Sequence, residues 1–479
     1  MLKGKEYKSS WDELFFDLAL VATFGSLATI LSLFEPLHDA HHGDDHYDHG
    51  DDHGDDHGDD HGGGHRRRLS AGAQVAHLSF PHAITLYCLC TATVVAVRRF
   101  TDGHRAQWYR NDLVGSALLL LRAGCVVGMG AVAKYGKEKI WQFHAFFAAA
   151  NLIGLLSVLD CYRSRPKHWK TLLTETANLA GNAIFSSTFA LVYHPDCGGY
   201  GFVGWRGYAV WMLAMPFIFA GSWMFEHSGV GPDSTSRLPV NVEYVSERFG
   251  LLVIITCGES LFAAISILAD SDSFHKLVVA FLSTYYALLI KLLYFELQSN
   301  VSKHAMEVSH FRGVGWTLVH IPVFVCAAGA GGVLHWANKG DKWSARERHL
   351  FLGFTVVELL ALSLVSLFHG KIHNDANLWW TKKKIRVLVR LTMCLCIVLG
   401  VLMKKADNIY TLAYACALIT MDFCYEFNAK RHIAEEHEKE EEIYTSKRRV
   451  SEQLAAAQAA GEVAPLRHRS ATTPISLGA

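Results

Sequence analysis

Charge is scarce in this 479-residue sequence, and the charge that is present cancels. Only 19% of the residues are charged, and 45 lysines and arginines stand against 45 aspartates and glutamates. A chain with no excess of positive charge lacks the electrostatic footprint of nucleic-acid binding, so we expect no nucleic-acid partner. Hydrophobic residues make up 51% and gather in runs of about 20. This excludes an ordinary soluble protein and indicates a polytopic membrane protein whose partner is the lipid bilayer.

Two further features are missing, a disulfide framework and an enzyme motif. Ten of the eleven cysteines lie in or beside apolar runs, and only Cys197 lies clearly in a loop. No GxSxG, HExxH, GxxxxGK[ST] or GxGxxG motif stands in the context that its enzyme class requires. We therefore expect that the chain is not an enzyme.

The apolar runs predict an all-α fold, a polytopic transmembrane helical bundle of about twelve spans. The first run has no small-residue cleavage site and is interpreted as a retained span. The predicted organisation is an N-terminal segment over 1–13, a bundle over 14–427 with a disordered loop over 35–79, and a charged tail over 428–479. The predicted spans are 14–34, 80–100, 112–133, 141–162, 171–193, 207–226, 249–269, 274–297, 313–337, 348–369, 384–403 and 406–427.

Orientation follows from lysine and arginine in the short loops. Loops on the side of the N-terminus hold slightly more of these residues than loops on the opposite side, and the N-terminus itself is basic. The positive-inside rule then predicts that both termini are cytoplasmic, and we expect the plasma membrane as the location.

The loop after the first span is a low-complexity tract from His38 to His65, with almost no apolar residues. We expect it to be disordered, because it cannot form a core. Its repeating Gly-Asp-Asp-His units offer imidazole and carboxylate ligands that suit loose binding of a divalent transition metal. The tract is otherwise a polar spacer, and no cofactor is certain. The predicted ligands are His46, His53, His57 and His61.

Carboxylates recur near the ends of several spans, at Asp17, Glu226, Glu296 and Glu426. Asp17 follows two phenylalanines and shares a helix face with Glu13, so we expect it to face protein rather than lipid. Two interpretations stay open: a row of interfacial carboxylates, or an acidic cytoplasmic vestibule that attracts cations.

A second polar set lies at mid-depth in the predicted spans. Arg122, Asn151, Asn182, Glu259 and Glu358 each interrupt an apolar run. In the structural interpretation the arginine pairs with one glutamate and the asparagines bond across helices. In the functional one they form a buried pathway for an ion, a proton or a small solute. Glu259 is predicted to face the bundle interior, within reach of Arg122, an asparagine or a water-filled cavity.

Two motifs together resemble the low temperature requirement protein A (LtrA) family of membrane proteins. The first is Glu-Leu-Phe-Phe-Asp-Leu at 13–18, and the second is Glu-Arg-Phe-Gly-Leu-Leu-Val-Ile-Ile at 247–255, followed by Gly258-Glu259-Ser260. The family commonly has histidine where this chain has Tyr244. The resemblance implies a multi-pass membrane protein, linked by the family name to growth in the cold, and no agreed biochemical activity.

The leading hypothesis is a transporter or channel-like protein for a cation, proton or small solute. The alternative is a non-transporting, receptor-like or scaffold membrane protein, and an intramembrane enzyme comes third. The residues predicted to form the polar pathway are Asp17, Arg122, Asn182, Glu247, Arg248, Glu259 and Glu358.

Overall fold

The computed structural model describes the chain over 11–32, 80–108, 112–164, 166–194, 206–215 with 218, 241–269, 273–298, 304–337, 343–369, 383–400 and 407–459. All regular structure in these ranges is helical, and none of them contains a strand. The all-α prediction is therefore confirmed.

The helices are numbered in chain order. They are α1 (Trp11–Ser32), α2 (Phe80–Trp108), α3 (Leu113–Ala133), α4 (Ile140–Ser164), α5 (Trp169–Val192), α6 (described over 206–215), α7 (Val242–Ala269), α8 (Phe274–Gln298), α9 (Ala305–Val308), α10 (His310–Ala337), α11 (Ala345–Phe368), α12 (Lys383–Gly400) and α13 (Asn408–Ala459).

Helix boundaries follow local chemistry where a polar residue precedes an apolar run. Asp112 caps α3, since its side chain accepts a hydrogen bond from the Gly115 backbone N–H at 2.8 Å. Ser344 and Glu347 form a reciprocal capping box at the start of α11. Pro322 lies inside α10, and that helix continues through it.

Eight of the described helices are long and apolar enough to cross a membrane, namely α1, α2, α3, α4, α7, α8, α10 and α11. The other four predicted spans fall on α5, α6, α12 and α13. Of these, α6 is described over only part of the predicted span, and α5, α12 and α13 are not among the helices that qualify by length and composition. A multi-pass helical membrane bundle is thus confirmed.

Small residues set the spacing at the centre of the bundle, where α10 is the most enclosed of the eight spans. A Cβ atom on Gly331 would lie 2.5 Å from Glu259 Cβ on α7, and one on Gly332 would lie 2.7 Å from Ala28 Cβ on α1. The two glycines therefore allow α10 to approach both helices closely.

The start of α1 and the far part of α13 lie at the same end of the bundle. Gly250, near the start of α7, packs against Phe295 near the end of α8. The helices α8 and α13 run parallel. Tyr285 contacts Thr420 at 2.9 Å, and one turn earlier on both helices Cys416 Sγ lies 3.6 Å from the Leu282 carbonyl oxygen. Since α1 and α7 also begin together, we call this end the N-terminal end of the bundle. The boundary predicted at 428 falls inside the unbroken helix α13.

Candidate functional site

Three helices bring a buried ion-pair cluster together at the N-terminal end of the bundle. We call it the end cluster, and its members on α1, α2 and α7 are Glu13, Asp17, Arg98, Asp102, Arg105, Tyr244 and Arg248. All seven side chains are buried. Three arginines face three carboxylates, so the end cluster is formally neutral.

Asp17 is the point where the three helices meet. Its Oδ1 lies 2.7 Å from Arg98 Nη2, and its Oδ2 accepts a longer bond from Arg248 at 3.4 Å. Arg98 Nε also lies 2.9 Å from Asp102 Oδ2, one turn further along α2. Asp17 therefore faces protein, as the sequence predicted, and it is bound to arginines.

Glu13 receives three groups from α2 and α7. Arg105 Nε lies 2.8 Å from its Oε1, the Tyr244 hydroxyl donates to the same oxygen at 3.1 Å, and Arg248 Nη2 donates to Oε2 at 2.5 Å. Glu247, one residue before Arg248, is exposed, because the helical rotation turns it to the opposite side. Glu247 is therefore not a member of the end cluster, and its part in a polar pathway stays a prediction.

A cavity of about 440 Å³ lies beside the end cluster, between α2, α3, α4, α5, α7, α9 and α10. Its apolar wall includes Phe100, Leu179, Val245 and Phe249. The polar and charged residues that line it are Arg99, Asp102, His104, Arg122, Thr171, Thr174, Glu175, Asn178 and Thr317.

Arg122 of α3 lies at the wall that the cavity shares with a smaller space of about 50 Å³. The side chain is 6% exposed, and its Nε and Nη2 atoms have no hydrogen-bond partner among the described residues. A Cβ atom on Gly154 would lie 3.3 Å from the guanidinium carbon, so the absence of a side chain there makes room for the guanidinium against α4.

On another wall, His104 and Glu175 form a pair that the sequence did not reveal. His104 Nδ1 lies 2.8 Å from Glu175 Oε2, and Trp108 Nε1 donates to the other carboxylate oxygen at 3.1 Å. The two residues lie 71 positions apart and join α2 to α5, so no local sequence pattern could have predicted that they pair.

The structure does not bring the predicted mid-depth set together. Glu358 is fully buried on α11 and accepts a hydrogen bond from the Tyr286 hydroxyl at 2.9 Å. Asn182 donates to Asn178 at 3.3 Å within α5. Asn151 donates to the Phe147 carbonyl at 2.8 Å within α4. Both asparagines therefore donate within their own helices, and no hydrogen bond from either to another helix is found in the part of the chain that the structure describes.

Glu259 faces the bundle interior, which agrees with its prediction, and is 8% exposed. Its carboxylate lies against Gly25, where a Cβ atom would be 3.4 Å away. No ion pair joins Arg122 to Glu259 or to Glu358 in the described part of the chain, and neither glutamate lines the cavity. The structure therefore does not support the interpretation in which Arg122 pairs with a glutamate at mid-depth.

A second buried ion-pair group links α12 to α13. Arg390 donates to Asp422 at 2.7 Å and to Glu426 at 3.0 Å, and Arg386 donates to Glu426 at 2.9 Å. The sequence singled out Glu426 but missed Arg390 and Asp422, which lie inside predicted spans. Two arginines balance two carboxylates here.

The predicted metal ligands His46, His53, His57 and His61 lie outside the described residues, as does Glu226; Glu296 falls on α8. Within the ranges that are described, no group of three or more histidine, cysteine, aspartate or glutamate residues could hold a metal ion.

Eight apolar helices around a buried, charged interior define an integral, multi-pass helical membrane protein. The family description that reads bacterial low temperature requirement A protein (LtrA) matches residues 66–421. This chain belongs to the LtrA family. The match includes α2 to α12 and omits α1, which supplies Glu13 and Asp17 to the end cluster. No curated protein and no solved structure matches the chain.

Proposed function

We propose that this LtrA-family protein transports a small solute, and that the 440 Å³ cavity is its binding site. The observation that supports this is the cavity itself, which several membrane-crossing helices enclose and which combines an apolar wall with charged groups. Such a mixture is characteristic of small-molecule sites. The proposal includes about twelve spans, a plasma-membrane location, a cytoplasmic N-terminal end and no enzymatic activity.

The charges favour a solute over a metal cation or an alkali cation. Two of the carboxylates predicted to attract cations, Asp17 and Glu426, are neutralised by buried arginines. The cavity and the end cluster together hold five arginines and four carboxylates, and His104 adds a further site for a proton. A cation entering this region would be repelled, because positively charged side chains outnumber negatively charged ones.

Flux in liposomes tests the proposal. Purified protein would be reconstituted, and uptake of labelled phosphate, succinate, glutamate and rubidium would be measured. Asn178 lines the cavity on α5, so Asn178→Trp should fill the cavity and lower the flux about tenfold or more. The matched control is Ile184→Trp on the lipid-facing side of α5, where the native side chain is 68% exposed.

The expected result is uptake of at least one solute, with Asn178→Trp impaired, Ile184→Trp unimpaired and both variants folded by thermal unfolding in detergent. Absence of uptake for every probe, or equal uptake by both variants, would contradict the proposal.

The second candidate is the receptor-like or scaffold function, which α13 favours. Beyond Ala429 this helix continues for ~45 Å at 1.5 Å per residue. Two exposed ion pairs lie along this stretch, Arg431–Glu435 at 2.9 Å and Arg448–Glu452 at 2.8 Å, and each joins residues one helical turn apart. Protease protection of α13 that changes when a ligand binds, in a protein that moves no probe, would favour this function.

A further inference from the structure

Arg122 differs from the arginines of the end cluster. Arg98, Arg105 and Arg248 each lie within ion-pair distance of a carboxylate. Arg122 is equally buried, and no described residue forms a hydrogen bond or an ion pair with it. A buried guanidinium without a partner is costly, so its presence at a cavity wall indicates that a group from outside the chain completes the site.

The free atoms of Arg122 have a specific geometry. Nε and Nη2 lie on the same edge of the guanidinium, and both lack a partner among the described residues. Two parallel N–H groups on one edge match the two oxygens of a carboxylate or a phosphate.

Two further unsatisfied donors line the same cavity from α5. The Thr171 hydroxyl and the Asn178 Nδ2 group are buried, and neither has a hydrogen-bond partner in the described ranges. Arg122 reaches the cavity from α3, so donors line it from two helices. Groups that can all donate require a ligand that accepts, and an anion is such a ligand.

The carboxylates of the cavity do not occupy these donors. Asp102 lies 2.9 Å from Arg98 Nε, and Glu175 is held by His104 and Trp108. The region around Arg122 therefore retains a positive potential toward the cavity.

We propose that the cavity binds the carboxylate or phosphate group of a small organic anion. The anionic group contacts Nε and Nη2 of Arg122, with Thr171 and Asn178 as additional donors. The carbon part lies against the apolar wall that includes Phe100 and Phe249. This inference rests on the proposed function only in using the same cavity, because an anion can bind there whether or not it is transported.

Binding to the purified protein in detergent tests the inference. The probes are succinate, phenyl phosphate and inorganic phosphate, with sodium chloride at equal ionic strength as the reference, measured by calorimetry and by the shift in melting temperature. Arg122→Gln should weaken binding about tenfold or more, because a charge-assisted bidentate contact is lost. Arg122→Lys keeps the positive charge but loses the two parallel N–H groups of the guanidinium, so it should give an intermediate affinity. The control is Arg163→Gln on the exposed side of α4.

The melting temperature without anion guards against a folding artefact. If Arg122 has no partner within the fold, the melting temperature of Arg122→Gln in chloride buffer should be no lower than that of the wild type. Lower melting in that buffer would show that Arg122 serves the fold, and it would overturn the inference. So would the absence of binding for all probes and lipids, or equal affinities in the wild type and Arg122→Gln.

A lipid arm identifies the source of the anion. The same proteins would be placed in nanodiscs of phosphatidylcholine with or without phosphatidic acid. Stabilisation by phosphatidic acid that Arg122→Gln abolishes assigns the anionic group to a lipid headgroup, whereas binding of succinate or phenyl phosphate assigns it to a soluble solute. Binding that depends on Arg122 without flux would support the anion site and contradict transport. Flux that is insensitive to Arg122 would support transport and contradict the anion site.

Discussion

The end cluster allows a quantitative prediction at Glu13. Glu13→Gln keeps the shape of the side chain but removes one of three buried carboxylates, which leaves Arg105 and Arg248 with a surplus positive charge. The substitution also replaces one carboxylate oxygen by an amide NH2 group. If that group faces Arg248, two hydrogen-bond donors oppose each other where an oxygen accepted before. Removing one partner of a buried ion pair costs about 3–5 kcal/mol, and we expect that loss in the free energy of unfolding.

The assay is equilibrium unfolding in mixed micelles, followed by tryptophan fluorescence. Glu247→Gln is the matched control, because the same chemical change falls there on an exposed side chain of α7, one residue before Arg248; it should stay within about 0.5 kcal/mol of the wild type. Tyr244→Phe removes one hydrogen bond to Glu13 and should cost about 1–3 kcal/mol.

A double variant tests the reasoning directly. Glu13→Gln combined with Arg248→Gln restores the charge balance, so its loss of stability should be smaller than the sum of the two single losses by about 1–3 kcal/mol. If the losses are additive, or if Glu13→Gln matches Glu247→Gln, buried charge does not stabilise this end of the bundle.

Three further predictions concern other parts of the fold. Gly130→Ala should lower stability by about 1–3 kcal/mol in the same unfolding assay, because its Cβ would lie 2.9 Å from a backbone atom of α1, whereas Gly124→Ala on the same helix meets open space and should not. Asp422→Asn should lower the free energy of unfolding by about 3–5 kcal/mol, because Arg390 is then paired with only one carboxylate, that of Glu426. Burial lowers the pKa of His304, which Glu307 partly offsets, so the folded state binds this proton less readily than the unfolded state and stability falls as pH drops below about 6.5. His304→Asn keeps a capping side chain and should make melting less pH-sensitive between pH 7 and 5.

Local patterns predicted the parts of the molecule that depend on one helix at a time. Apolar runs located the membrane-crossing helices, and the two phenylalanines before Asp17 indicated that this carboxylate faces protein. Each of these conclusions needs only the length, polarity or size of neighbouring residues.

The pairing of charges could not be predicted in the same way, because it depends on which helices are neighbours. Arg122 has suitable chemistry for Glu259, yet the two lie on helices that place them in different parts of the interior. The second span was predicted to end near residue 100, with Arg105 in a loop. In the structure α2 continues to Trp108, since its arginines find carboxylates on α1. Helical spacing could have revealed part of this, because Tyr244 and Arg248 share a face that excludes Glu247.

The composition of the end cluster has a consequence for biosynthesis. The helix α1 leaves the ribosome before α2 and carries Glu13 and Asp17, and each acid would be exposed to lipid if α1 entered the bilayer alone. Arg98 and Arg105 arrive with the next helix, and Arg248 follows only after four more. We therefore expect α1 to become stable in the bilayer only once α2 has emerged, so that the two helices insert together as a hairpin.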